Sequence, residues 1–440
     1  MGMHIQALKL IALAIFSLFL ASCSGNGSTT FTVSGTVSGL NTGSWVSLQN
    51  NGLDTLALSS NGKFTFATPL ANGAAYSVTV SSQPTPYACR VSNGSGSSVV
   101  NVTGVLVTCQ AQYPYVVNNV GNSVSQFTLG AGGVLSSTAV VTSPLANSLQ
   151  SPYAIAITPS GKYVYVTNSN IGINTVSQFT IGSGGTLTPM TIPAVQAGQN
   201  PRAITINATS EYAYVANLDF NTITQYSIGT TGALNPMPSP VVTTGNNPSA
   251  IAITPNSKFA YVSNNASNNI SQYSIGLTGA LTPLVNATVS AGFNPYGLAI
   301  DPAGKYLYAT NRGSNTVSQY TIAGTGTLIP MSVTTVATGI NPTQIVINPS
   351  SQFAYVTNSG ANSVSQFTIG ASGGLTAMST ATVPTGSSPF GIAIDATGNY
   401  VYVTNNTANT VSQYSIGANG ALISVGSTST GSGPLGIAIY

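Results

Sequence analysis

Tyr402-VTNNTANTVSQY is the last of seven near-copies of one phrase. The others are Tyr115-VVNNVGNSVSQF, Tyr165-VTNSNIGINTVSQF, Tyr214-VANLDFNTITQY, Tyr261-VSNNASNNISQY, Tyr308-ATNRGSNTVSQY and Tyr355-VTNSGANSVSQF. Subtracting residue numbers gives tyrosine spacings of 50 and 49, then 47 four times. Each copy reads as two short strands rich in Val, Ile, Thr and Tyr, joined by a turn of Asn, Gly and Ser. A repeat of about 40–50 residues built from such strands marks a propeller blade.

Working outward from one copy gives the whole unit. Pro201-RAITI is a first strand, Asn207-ATSE a turn, Tyr212-AYVAN a second strand and Leu218-DFN the next turn. Thr222-ITQYSI is a third strand, and Gly229-TTGAL leads to a fourth around Pro240-VVT. The inner runs are apolar at successive positions, as expected of strands covered on both faces. First strands recur at Ile155, Ile204, Ile251, Leu298, Ile345, Ile392 and Ile437. The array opens at Tyr113 with a second strand and closes on Pro434-LGIAIY, a first strand with nothing after it. The C-terminal strand is therefore expected to complete the blade begun by residues 113–142, a one-plus-three closure that removes open sheet edges. The fold class expected is all-β: a seven-bladed propeller over 113–440, preceded by a small β-sandwich over 31–110.

Tyr165-VTN, Tyr355-VTN and Tyr402-VTN match the YVTN repeat, and the unit resembles the lactonase-like seven-bladed propellers. That family includes surface-layer proteins, envelope proteins of unknown role and 6-phosphogluconolactonases. The resemblance implies the fold over 113–440 and admits lactone hydrolysis at the propeller mouth.

Residues 1–22 read as a signal peptide, with Lys9 ahead of the apolar run Leu10 to Leu20. The run ends in Leu20-Ala21-Ser22-Cys23, which resembles a bacterial lipobox. The resemblance implies an acylated Cys23, a membrane held through the lipid anchor and, with Ser24 following, an outer-membrane address in the cell envelope. Residues 23–30 read as a tether. Cys89 and Cys109 then remain, and in an oxidising compartment they read as a disulfide.

Residues 31–110 alternate apolar and polar positions between Asn-Gly turns, which predicts a small antiparallel sandwich. Ser34-GTVSGL, Leu48-QNNG, Asn61-GKFTFATPL and Val107-TC resemble an immunoglobulin-like spacer module of bacterial surface proteins. Trp45 and Tyr76 are read as core side chains of this module.

Only 3% of the 440 residues are charged, with eight Lys or Arg against five Asp or Glu. A formal charge of +3 over this length makes no basic footprint for nucleic acid. The single histidine, His4, belongs to the signal peptide, and no Walker loop, nucleophile elbow or Cys/His metal cluster occurs. No cofactor or metal is expected.

Residues shared by every blade serve the blade, so Gln126, Gln178, Gln225, Gln272, Gln319, Gln366 and Gln413 read as a structural ladder. Asn168, Asn311, Asn358 and their equivalents read as turn formers. Functional candidates are the departures from the repeat. Strand direction puts Arg202, Asp219, Phe220 and Arg312 on one face, with Tyr153, Tyr296 and Phe390 at positions equivalent to Arg202. Lys162, Glu211, Lys258, Lys305, Asp301 and Asp395 fall on the opposite face. Arg202, Asp219 and Arg312 around one mouth suit an anionic or sugar-like ligand; the same three residues also suit a neutral surface with scattered charges. A lactonase needs an activated water and an oxyanion stabiliser, and Asp219 is the only acid on that face. The residues thus favour recognition of an envelope protein or glycan partner, with lactone hydrolysis as the alternative.

Overall fold

Alternating β-branched and aromatic runs separated by Asn-Gly-Ser turns form strands along the chain, and no α-helix occurs among the described residues. The computed structural model describes residues 29–84, 87–142, 149–170 and 172–440. The expected signal peptide, Cys23 and most of the tether lie outside the described residues.

In the unit that begins at Pro201, strands Pro201–Ile206, Tyr212–Asn217, Thr222–Ile228 and Leu234–Thr243 pair in sequence order as one antiparallel sheet. Five further four-stranded sheets repeat this order. The seventh combines Pro114–Asn118, Ser123–Leu129 and Leu135–Thr142 with the C-terminal strand Pro434–Ile439. The molecule is a seven-bladed propeller closed one-plus-three. The fourth strand starts at Leu234, ahead of the Pro240 read from sequence. Leu234 is buried and anchors its start, while a register shift between Thr224 and Tyr226 absorbs the prolines that follow.

Second and third strands are buried on both faces because neighbouring blades cover them. Burial obliges their polar atoms to find partners. Tyr308 Oη donates to the Gly373 carbonyl of the next blade at 2.6 Å, and Tyr115, Tyr165, Tyr214, Tyr261, Tyr355 and Tyr402 repeat the bond around the ring. The glutamine ladder links blades in the same sense. Gln272 Oε1 accepts the Leu328 N–H at 2.6 Å from the following blade, while its Nε2 donates to the Asn286 carbonyl at 2.7 Å within its own. The Asn of each "TN" pair stitches its own turn, as Asn405 does by donating to Thr410 Oγ1 at 2.9 Å and Ser412 Oγ at 2.8 Å.

Two four-stranded sheets form the small domain. One holds Gly62–Thr65, Val33–Ser38, Val102–Ala111 and Tyr87–Ser92, the other Asp54–Leu58, Val46–Asn50, Ala75–Ser82 and Ser95–Ser97. Val33, Leu48, Phe64, Val78 and Val105 from both sheets share one core. The sandwich is not purely antiparallel: Val102–Ala111 runs parallel to Val33–Ser38. The intervening strands supply the long crossover that a parallel pair requires. Cys89 and Cys109 stand opposite each other on neighbouring strands and are bonded. Trp45 departs from the core reading. It precedes the strand Val46–Asn50 and is 55% exposed, whereas Tyr76 packs partly against the core.

The sandwich meets the propeller on the face formed by the first-to-second-strand turns. Gln112 Oε1 accepts the Ala396 N–H at 2.8 Å, Arg90 lies 5.1 Å over the Tyr440 ring, and Tyr440 Oη donates to the Pro159 carbonyl at 2.9 Å. Of the charged residues expected on this face, Asp301 and Asp395 are buried and cap its turns, each taking backbone N–H groups four and five residues on. The opposite mouth is left open.

Candidate functional site

Each blade brings its first strand to the channel through a loop ending in Pro; the residues after that Pro that line the mouth are Tyr153, Arg202, Ser249, Tyr296 and Phe390, whereas Thr343 and Leu435 are buried and do not line it. What fixes these loops is an asparagine in the second-to-third-strand turn of the preceding blade. Asn122, Asn174, Asn221, Asn268, Asn315, Asn362 and Asn409 all take φ between 45° and 56°, a left-handed conformation that Asn tolerates. Each side chain accepts one loop N–H; Asn174 holds Asn200 at 2.9 Å and Asn268 holds Asn294 at 2.8 Å. Asn122 and Asn362 likewise hold Ser151 and Ser388, the residues before Pro152-Tyr153 and Pro389-Phe390. These seven asparagines occur at one position of the repeated phrase, yet the sequence reading passed over them in favour of the "TN" pair.

Hydroxyls then pin the backbone at the mouth. The Tyr296 carbonyl accepts from Ser263 Oγ at 2.7 Å and Ser249 Oγ at 3.1 Å, and the Phe390 carbonyl accepts from Thr357 and Thr343 at 2.9 and 3.0 Å. The side chains so placed converge. Phe390 meets Tyr153 and Tyr296 edge-to-face with ring centroids 5.7 and 5.9 Å apart, and the two tyrosine hydroxyls share a hydrogen bond. The first strands Pro152–Ile157, Pro295–Ile300 and Pro389–Ile394 of three blades thus meet over the channel in an aromatic floor.

Above this floor lies a bowl of about 570 Å³. Tyr153, Arg202, Tyr296, Arg312 and Phe390 line it, together with Ser249, Asn265, Asn294 and Asn341. A smaller space of about 170 Å³ continues below, between the first strands, and shares Tyr153, Arg202, Ser249 and Phe390 with the bowl. The Arg202 guanidinium carbon sits 4.3 Å from the Tyr153 ring centroid, and that of Arg312 5.6 Å from the Tyr296 ring, both within cation–π range. Arg202 Nε is buried without a hydrogen-bond partner. Burial pushes the Tyr296 phenol well above its ordinary pKa, with the neighbouring Tyr153 adding to the shift and the two arginines opposing it.

Five of the seven residues singled out from sequence therefore line one bowl. Asp219 and Phe220 do not line it: they are exposed on the turn whose Leu218 does, and Asp219 accepts from Asn200 Nδ2 at 3.2 Å. No carboxylate or imidazole lines the bowl, and no group of metal-ligating residues exists among the described residues. Two guanidiniums over a polar rim can hold an anionic oxygen and polarise a carbonyl.

Comparison with solved structures gives the same architecture. A candidate 6-phosphogluconolactonase from Bacteroides fragilis aligns with TM-score 0.67 at 22% identity, covering 75% of this chain and 98% of that one. The periplasmic gluconolactonase of Pseudomonas aeruginosa aligns with TM-score 0.64 at 18% identity, over 75% of this chain and 99% of that one. A protein from Lactobacillus plantarum gives 0.65 at 19%, with 75% and 99% covered. At such identities the likeness shows the fold alone. No curated protein matches the sequence. The family described as Lactonase, 7-bladed beta-propeller matches residues 105–245, 235–340 and 326–438, and the chain belongs to it.

Proposed function

We propose that the bowl binds and hydrolyses a small lactone. The observation that carries this is the convergence of Arg202 and Arg312, neither paired with a carboxylate, on one cavity over the channel. Family membership supports the same reading. Water would attack the lactone carbonyl carbon while the carbonyl π electrons move to an oxygen held by the guanidiniums. Collapse breaks the ring C–O bond, and the released alkoxide takes up the proton that the attacking water gives up, leaving a hydroxy acid. Arg202→Ala or Arg312→Ala should lower turnover of glucono-lactone on the order of a hundredfold, the usual effect of losing one oxyanion donor. A pH-stat assay on the purified protein decides, and turnover equal to the parent's in both variants overturns the assignment.

A second reading, recognition of an envelope protein or glycan without turnover, is favoured by one observation: the bowl lining supplies no proton acceptor. Absence of glucono-lactone turnover in the same assay, with a glycan or protein retained on the immobilised chain, would establish it.

We also propose that Cys23 carries acyl chains in the cell envelope. The lipobox-like sequence supports this, and the sandwich, set under the face opposite the mouth, would turn the bowl away from the membrane. Metabolic labelling with a palmitate analogue should mark the protein and be lost in Cys23→Ala; labelling that persists in that variant refutes the anchor.

A further inference from the structure

The aromatic floor carries a donor that neither the repeat nor the arginines account for. Tyr153 Oη and Tyr296 Oη are hydrogen-bonded to each other, and either can be the donor. That bond uses one of the two hydroxyl protons. Neither oxygen has another partner among the described residues, so the second proton is left over. Both tyrosines line the bowl, and each ring carries a guanidinium, Arg202 on Tyr153 and Arg312 on Tyr296. One phenolic O–H and two cations therefore line the same bowl. Such a trio suits an oxygen bearing negative charge, since a charged acceptor strengthens each bond and the neighbouring hydroxyl polarises the donor further.

We propose that Tyr153 and Tyr296 act as one proton-donating unit that, with Arg202 and Arg312, seats an anionic oxygen at the floor of the bowl. The ligand class is the compact hydroxy acid: its carboxylate in the bound product, and the carbonyl oxygen of the lactone as charge develops during attack. The proposal rests on the lactone reading for the second of these and on geometry alone for the first. Phe390, packed edge-to-face against both rings, is a positioning residue.

The pairing has a consequence that independent phenols would lack. Removing either hydroxyl frees the surviving one from its partner, so a donor remains. Tyr153→Phe and Tyr296→Phe should each leave gluconate affinity, measured calorimetrically on the full chain, within about threefold of the parent. The double variant has no phenolic proton at the floor and should bind gluconate on the order of tenfold to a hundredfold more weakly, with glucono-lactone turnover falling alongside. A double variant that binds like the parent overturns the proposal, as does either single variant matching the double. A parent protein that fails to bind gluconate at millimolar concentration does the same. Gluconate binding in this pattern without any turnover leaves the seat standing and removes the hydrolase reading. Turnover and gluconate affinity both unaffected by the double variant remove the seat and keep the hydrolase. Should the double variant not fold, the near-ultraviolet difference spectrum decides. Gluconate must perturb tyrosine absorption in the parent and in both single variants, and an unchanged spectrum overturns the pair.

Discussion

The hydroxyl of each second-strand tyrosine works as a rivet between blades. Tyr308 and its six equivalents are fully buried and spend their only proton on a glycine carbonyl of the next blade. Burial pushes all seven phenols above the ordinary tyrosine pKa of about 10. The third-strand Tyr273 and Tyr320 rise to about 12 for the same reason. A phenol that ionises only above the unfolded value contributes stability that is whole below about pH 10 and is lost as pH climbs toward the folded pKa. Each such tyrosine then subtracts up to about 1.4 kcal/mol per pH unit. Melting temperature should therefore be flat through neutral pH and fall steeply above about pH 10, and Tyr308→Phe should make the fall shallower while lowering the plateau. A melting temperature indifferent to alkali would mean the rivets carry no free energy. The tyrosines were legible in the sequence because the same residue stood in the same slot seven times. The site was legible by the opposite test: Tyr153, Arg202, Tyr296 and Phe390 occupy one slot whose residue type changes from blade to blade. Their pairing was not legible. Tyr153 and Tyr296 lie 143 residues apart, and only the closed ring brings their hydroxyls together. Asp219 was misleading for a related reason, since a turn residue's side-chain direction is set by neighbours such as Asn200 rather than by strand register.

Among the elements, the final strand Pro434–Ile439 has the largest effect for its size. It pairs with Pro114–Asn118, and its Tyr440 reaches the sandwich side of the ring. Thr404 Oγ1 also donates to the Leu435 carbonyl at 2.7 Å, so the neighbouring blade that contains Tyr400–Asn405 leans on it. A chain ending at residue 432 would expose the inner edge of Pro114–Asn118 and uncover Val116, which is now fully buried. Such a truncation should lower the melting temperature and bind a dye for exposed apolar surface; a truncated chain that melts with the parent would show that the ring does not depend on this strand. The strand was predictable because the blade that begins at Tyr113 has no first strand ahead of it, and Pro434-LGIAI is a first-strand sequence beyond the last complete blade. The bulged fourth strands were not, since their start is set by a buried leucine and their prolines read as breaks.

At the scale of the molecule, the blades are held by apolar clusters buried between them and by neutral hydrogen bonds, with few charges. With 3% charged residues, the blades are tied by tyrosine, glutamine and asparagine rivets that each repeat around the ring. The closing strand also sets the order in which the molecule can be made. Pro114 meets Ile439 across nearly the whole propeller, so the blade begun by Pro114–Asn118 stays one strand short until Pro434–Ile439 has left the ribosome. Long-range pairing of this kind makes folding slow, and it ties completion of the ring to synthesis of its closing strand. A chain cut short by a premature stop keeps an unpaired edge, so its incompleteness shows in the protein itself, where chaperones and proteases recognise exposed strands.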